Sequence, residues 1–189
     1  HLYNYLPTKH EKWLTMIKQE IIDSGLIIDI LNAKTMEAVF RLLQGCSFLG
    51  SFLAYQYTID MNYSPYINFS ENDFVKAGIG AIRGIKKCFL CYGNKCEDAI
   101  WYVKEHFNDL LKRYGYTSFH PLPGHEPTLI DLQNCFCETD KYLRAKMPEL
   151  RIGNVRIKQK YMPHTDPIQF FFPPKWNIVE MYKYKPIVV

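Results

Sequence analysis

Two uncharged apolar segments meeting at Phe48-Leu49-Gly50 constrain this chain more than any other feature. The run from Leu42 to Ile59 contains no Asp, Glu, Lys or Arg. An apolar pair followed by Gly between two helical segments is the outline of a helix-hairpin-helix. Gly50 is expected to let the backbone turn without a Cβ clash. The amides that open the next helix at Ser51 then form an end suited to an anion such as phosphate. The run approaches the length that crosses a bilayer. Gln44, Gly45, Gly50 and Gln56 interrupt it, so a buried helix pair is the favoured reading and no membrane partner is expected.

The chain has 189 residues, enough for one domain with a real core. Its net charge of +4 is modest and permits nucleic acid without demanding it. Six cysteines include Cys88, Cys91 and Cys96 in a C-x-x-C-x4-C spacing, followed by Cys135 and Cys137. That spacing matches no common zinc site. Small buried thiols in a reducing, intracellular compartment (cytoplasm or nucleus) are favoured, and neither metal nor cofactor is expected. Position 1 is His, so the chain reads as a domain cut from a larger polypeptide.

Helical periodicity dominates residues 1–150. Thr8 caps a helix running to Asp23, which Ser24-Gly25 ends. Residues 26–31 fit helix or strand. Asn32 or Thr35 starts the next helix, with Met36, Val39, Phe40 and Leu43 on one face. Pro65 marks a loop. Ser70 is expected to cap a further helix containing Asp73. Gly78 and Gly80 in Ala77-Gly78-Ile79-Gly80-Ala81 are poor mid-helix residues, which implies a break or a close backbone approach. Residues 97–113 read as one helix, acidic at its start and basic at its end. Residues 114–127 are a loop in which His120 and His125 read as surface residues. Thr128 opens a segment that Pro148 stops. Residues 151–189 lack helical period and read as an extended, basic and aromatic segment that wraps the body or lies along a phosphate backbone. The fold class is therefore mainly α with an extended C-terminal segment.

The stretch LQGCSFLGSFLAYQYTID resembles the hairpin of the helix-hairpin-helix DNA glycosylases, and Asp73 is similar in place to their catalytic aspartate. The longer pattern FLAYQ, DF, AGIGA, RGI and CETDKYLR resembles a narrower group. That group comprises the glycosylase-like helical domains of thymine hypermodification systems, namely the α-glutamyl/putrescinyl thymine pyrophosphorylases and the 5-hydroxymethyluracil DNA kinases. The resemblance covers roughly residues 31–150. It departs at Ile79, where the group's pattern carries Pro.

The resemblance implies a DNA-binding protein that flips a 5-substituted pyrimidine out of the stack. Asp73 is then the first catalytic candidate. In a pyrophosphorylase-like reaction it would deprotonate an incoming amine or amino-acid donor. In a glycosylase it would stabilise positive charge at C1′. Three residues after Ser70, it also fits a plain helix cap. Glu138 and Lys141 are candidates for a second acid and a phosphate-holding base, with Arg144 beside them; by charge pattern alone they read as a solvated helix face. Tyr55, Gln56 and Asn72 are candidates for stacking on or reading the base, against core packing for Tyr55 and a turn role for Asn72. Gly50, Ser51, Gly78, Gly80, Arg83, Lys86 and Lys87 are candidates for phosphate contact. No stretch reads G-x4-G-K-[ST], so phosphotransferase machinery is not in this segment. Three functions stay open: substituent exchange on a modified thymine, excision of a modified base, and a non-catalytic DNA-reading module of a larger enzyme.

Overall fold

The computed structural model describes residues 2–122, 124–152, 166 and 171–178. Among the described residues eight α-helices build the body: α1 (Lys9–Met16), α2 (Leu26–Asn32), α3 (Met36–Gln44), α4 (Ser51–Asn62), α5 (Ile79–Cys88), α6 (Cys96–Glu105), α7 (Phe107–Arg113) and α8 (Leu129–Lys146). A π-helical stretch, Ile17–Asp23, continues α1. The architecture is mainly α, and no described helix is long and apolar enough to cross a membrane.

Most helix starts follow from local chemistry. The Thr8 hydroxyl accepts the Glu11 N–H, and Glu11 reaches back to the Thr8 N–H, a reciprocal capping box. Thr35 accepts the Ala38 N–H ahead of α3. Ahead of α8, Asp131 reaches back to accept both the Thr128 N–H at 2.8 Å and the Thr128 hydroxyl at 2.9 Å. Gly25, at φ 81°, ends the first helical unit, and residues 26–32 resolve as helix.

The α3–α4 hairpin is present, but its turn works differently from the expectation. Gly50 sits at φ −65° with open space where a Cβ would be, so the turn does not require glycine there. The left-handed position is Phe48, at φ 65°. A non-glycine residue there costs about 1–2 kcal/mol, and tertiary contacts hold it. The Phe48 ring meets Tyr3 at 5.8 Å and stacks on Trp13 at 6.0 Å. Glu20 fastens the same loop by accepting the Ser47 N–H at 2.6 Å and the Tyr3 hydroxyl at 2.7 Å. Burial raises the Glu20 pKa, but these two donors outweigh it and hold the carboxyl below its usual range. Met36, Val39, Phe40 and Leu43 of α3 are all buried, each worth about 1.5–3 kcal/mol of apolar transfer.

Residues 63–78 cross from the hairpin half to the α5–α8 half without helix. Ser70 opens a hydrogen-bonded turn rather than the expected helix. Its hydroxyl accepts the Asn72 N–H at 3.1 Å, and its carbonyl accepts the Asp73 N–H at 3.2 Å. Phe74 then inserts between Phe40 and Tyr55, with ring centroids at 5.2 and 5.8 Å. Glu97, buried, receives Lys76 at 2.7 Å and the Ala77 N–H at 3.1 Å. Helix α5 starts only at Ile79, so Gly78 and Gly80 flank a helix start and not a helix interior.

The α5–α8 pair explains two glycines. A Cβ on Gly84 would fall deep inside contact distance of the Phe136 carbonyl oxygen, and one on Gly80 would collide with the Cys137 sulfur. The two backbones therefore approach closely along a small-residue strip on α5. The expected single helix at 97–113 is two helices. His106 leaves the α conformation at φ −105°, ψ 18°, while Phe107 packs edge-on against Phe119 of the following loop at 5.3 Å. Cys46 is buried, whereas Cys88, Cys91 and Cys135 are exposed, which corrects the expectation of uniformly buried thiols.

Of the C-terminal segment, residues 171–178 lie on the body. Residues 153–165, 167–170 and 179–189, including the basic positions Arg156, Lys158 and Lys160, lie outside the described residues.

Candidate functional site

The turn at 70–73 stands where α4, the start of α8 and residues 171–178 converge, and three of its four side chains are engaged internally. Ser70 closes the turn. Glu71, buried, accepts the Trp176 indole N–H at 2.8 Å. The Asn72 carbonyl accepts the Leu129 N–H at 3.3 Å and so satisfies an orphan donor at the start of α8. Asp73 is exposed, and its carboxylate has no hydrogen bond or ion pair among the described residues.

Around this turn lies a group that sequence reasoning did not assemble. His125 stacks on Trp176, ring centroids 3.6 Å apart, and its Nε2 is 3.2 Å from Asp131, so its side chain is only 9% exposed and is not the surface histidine expected. Tyr63 packs edge-on against Trp176 at 5.7 Å. Burial, reinforced by the Glu71 charge, pushes the Tyr63 phenol well above its ordinary range. Lys175 donates to the Asn62 and Phe69 carbonyls at 3.0 and 3.1 Å, and burial lowers its pKa. The residues that would have revealed this group are a Trp and a Lys at least fifty positions from their partners, and no local pattern joins them.

Tyr55 is 1% exposed, and its hydroxyl points to the Phe74 carbonyl at 3.5 Å, so it packs in the core. Gln56 is half-buried on α4, and its side-chain nitrogen is enclosed without a hydrogen-bond partner among the described residues. Gly50 and Ser51 begin α4, whose first amides receive no side-chain cap. The Gly78 N–H donates to the buried Gln133 side chain at 3.2 Å, and Gly80 faces Cys137, so neither glycine presents a free backbone face there.

The basic cluster divides. Arg83 and Lys86 form no ion pair among the described residues. Lys87 turns inward to Asp140 at 2.6 Å, with both side chains at most 3% exposed. Asp140 also binds Arg144 at 3.1 Å one helical turn on, so a buried Lys-Asp-Arg triad ties α5 to α8. Two expected ligand-holding cations are thus joined by one internal carboxylate. Glu138 and Lys141 pair with each other on the solvent side of α8, away from that triad in burial. Burial of this kind gives Asp140 a structural role that the charge pattern of the segment did not distinguish from its neighbours.

A cavity of about 570 Å³ lies elsewhere, between residues 88–93, α6 and the end of α7. None of the residues singled out from the sequence for catalysis, base contact or phosphate contact lines it. Among the described residues, no cluster of His, Cys, Asp or Glu has the make-up of a metal site.

The family model described as 5-hmdU DNA kinase, helical domain, matches residues 3–152. Neither the curated proteins nor the solved structures compared with the chain gave a match. The matched span holds the whole of α1–α8, from the Tyr3 ring that braces the hairpin to the end of the helical body. By that match the chain belongs to the family of 5-hmdU DNA kinase helical domains.

Proposed function

We propose that this chain is the DNA-engaging domain of a system that modifies 5-hydroxymethyluracil, a modified thymine, within DNA. The observation that carries the reading is the state of the 70–73 turn: Asn72 ties it to α8, Glu71 ties it to Trp176, the Ser70 hydroxyl closes it from within, and the exposed Asp73 carboxylate is left without a hydrogen bond among the described residues. A fixed turn with one open carboxylate is suited to accept a hydrogen bond from the hydroxymethyl O–H of an extruded base. A carboxylate so placed also fits the acceptor-side role in phosphoryl transfer, where an acid takes the substrate hydroxyl proton. The family's description as a DNA kinase domain supports this substrate.

In this reading the uncapped start of α4 at Gly50 and Ser51, with Arg83 and Lys86, meets the phosphate backbone. Lys87 and Arg144 stabilise the body through Asp140 and do not touch the ligand. Phosphoryl transfer itself falls to a partner domain or polypeptide, since the sequence has no phosphate-binding Gly-Lys loop.

Phosphate-led binding is salt-dependent. Affinity for a short duplex is expected to fall on the order of tenfold to a hundredfold between about 50 and about 200 mM salt. The slope should become shallower by roughly one in Arg83→Gln and Lys86→Gln, each tested singly by fluorescence anisotropy. A flat salt response would remove phosphate contact from the account.

A further inference from the structure

We infer that the cavity between residues 88–93, α6 and α7 is a second nucleotide site, taking one unstacked base with its phosphate. Four aromatic residues line it, Phe89, Tyr92, Tyr102 and Tyr114, together with Arg113. Its volume of about 570 Å³ falls in the range of small-ligand sites. Tyr102 and Tyr114 are exposed, at 44% and 68%, so apolar ring surface stands open at the cavity. Tyr102 is held edge-on to Phe89 at 6.4 Å and against His106 at 4.6 Å, which fixes its plane.

The cavity wall is built rather than loose. Gly93 has φ 83°, and a Cβ there would lie 2.7 Å from an Asp98 carboxylate oxygen. That carboxylate accepts the Asn94 and Lys95 N–H groups at 2.9 and 3.1 Å, which clamps the 88–93 loop to the start of α6. Asp98 is thereby engaged with backbone amides. Arg113 is exposed and makes no ion pair among the described residues. The lining therefore offers ring faces and one available guanidinium, the combination that stacks a base and pairs a phosphate. The chemistry defines the ligand class: a planar heteroaromatic ring carrying a single anionic group. This site is independent of Asp73, because neither the 70–73 turn nor the α3–α4 loop contributes to it.

The test is calorimetric titration of the full chain with thymidine 5′-monophosphate, thymidine and inorganic phosphate. Saturable binding of the monophosphate is expected, with thymidine and phosphate each weaker by about tenfold or more. Arg113→Gln should lower monophosphate affinity to that of thymidine. Tyr114→Ala, at an exposed position that leaves the core intact, should weaken monophosphate and thymidine alike. Absence of saturable monophosphate binding, or an Arg113→Gln protein that binds it as tightly as the unmodified chain, overturns the assignment. Neither result bears on Asp73, whose test uses modified duplex DNA.

Discussion

Replacing Asp140 with Ala is expected to destabilise the fold by about 3–5 kcal/mol, among the largest effects of any single side-chain truncation in this chain. Asp140 pairs with both Lys87 and Arg144, and its side chain and that of Lys87 are at most 3% exposed. Removing it takes from Lys87, a cation with little access to solvent, the carboxylate it is paired with. The direction does not depend on the triad being stabilising overall. Desolvating three charges offsets much of their attraction, so a Lys87→Met, Asp140→Leu, Arg144→Met protein should recover most of the loss. Glu138→Ala, two residues earlier, removes an exposed pair and should shift stability by about 0.5 kcal/mol or less. Urea unfolding followed by circular dichroism separates the three outcomes. Equal costs for Asp140→Ala and Glu138→Ala would show that the triad is not buried as described.

The second large effect is at Gly84. Alanine there places a methyl group inside the Phe136 carbonyl, and the neighbouring backbone of α8 has no flexible atom to yield. We expect Gly84→Ala to cost roughly 3 kcal/mol through separation of α5 from α8. The gain in helix propensity from Gly to Ala, about 1 kcal/mol, runs the other way and is too small to compensate. Gly50→Ala is the contrast. It meets open space at φ −65° and should stay within about 0.5 kcal/mol of the parent. Sequence reasoning placed the demanding glycine of the hairpin at Gly50, and thermal or chemical unfolding of the two variants will show the demand at Gly84.

Local signals were legible wherever the partner lay within a turn or two. Thr8, Thr35 and Thr128 each start a helix as their side chains dictate, and Gly25 stops one. The α3 stripe Met36, Val39, Phe40 and Leu43 is the buried face. What failed depended on contacts between distant segments. Ser70 followed by Asp73 has the spacing of a cap, but Phe74 is drawn into the gap between Phe40 and Tyr55, and the chain stays extended until Ile79. The stretch 97–113 keeps helical period across His106, and the loop residue Phe119 accompanies the break.

The same limit governed the site. Arg83, Lys86 and Lys87 form one basic run in the sequence, yet Lys87 turns inward because Asp140 lies opposite it on α8. Asn72 was legible as a turn residue and not as a donor-satisfying group for Leu129, fifty-seven positions on. Glu71, His125 and Trp176 form a contiguous group only once residues 171–178 lie across the body. Asp73 was singled out by resemblance; the structure adds that its neighbours are engaged and it is not.

A binding measurement reaches the meeting of that carboxylate with a hydroxymethyl group without requiring turnover. Affinity should be compared for duplexes that differ only in one 5-hydroxymethyluracil in place of thymine, using the unmodified chain and Asp73→Ala at one salt concentration. One hydrogen bond to a charged acceptor corresponds to a preference of about tenfold for the modified base. The preference should vanish in Asp73→Ala while affinity for the thymine duplex stays the same, since phosphate contacts are untouched. Equal affinity of the unmodified chain for both duplexes, or a preference that survives in Asp73→Ala, would contradict the account.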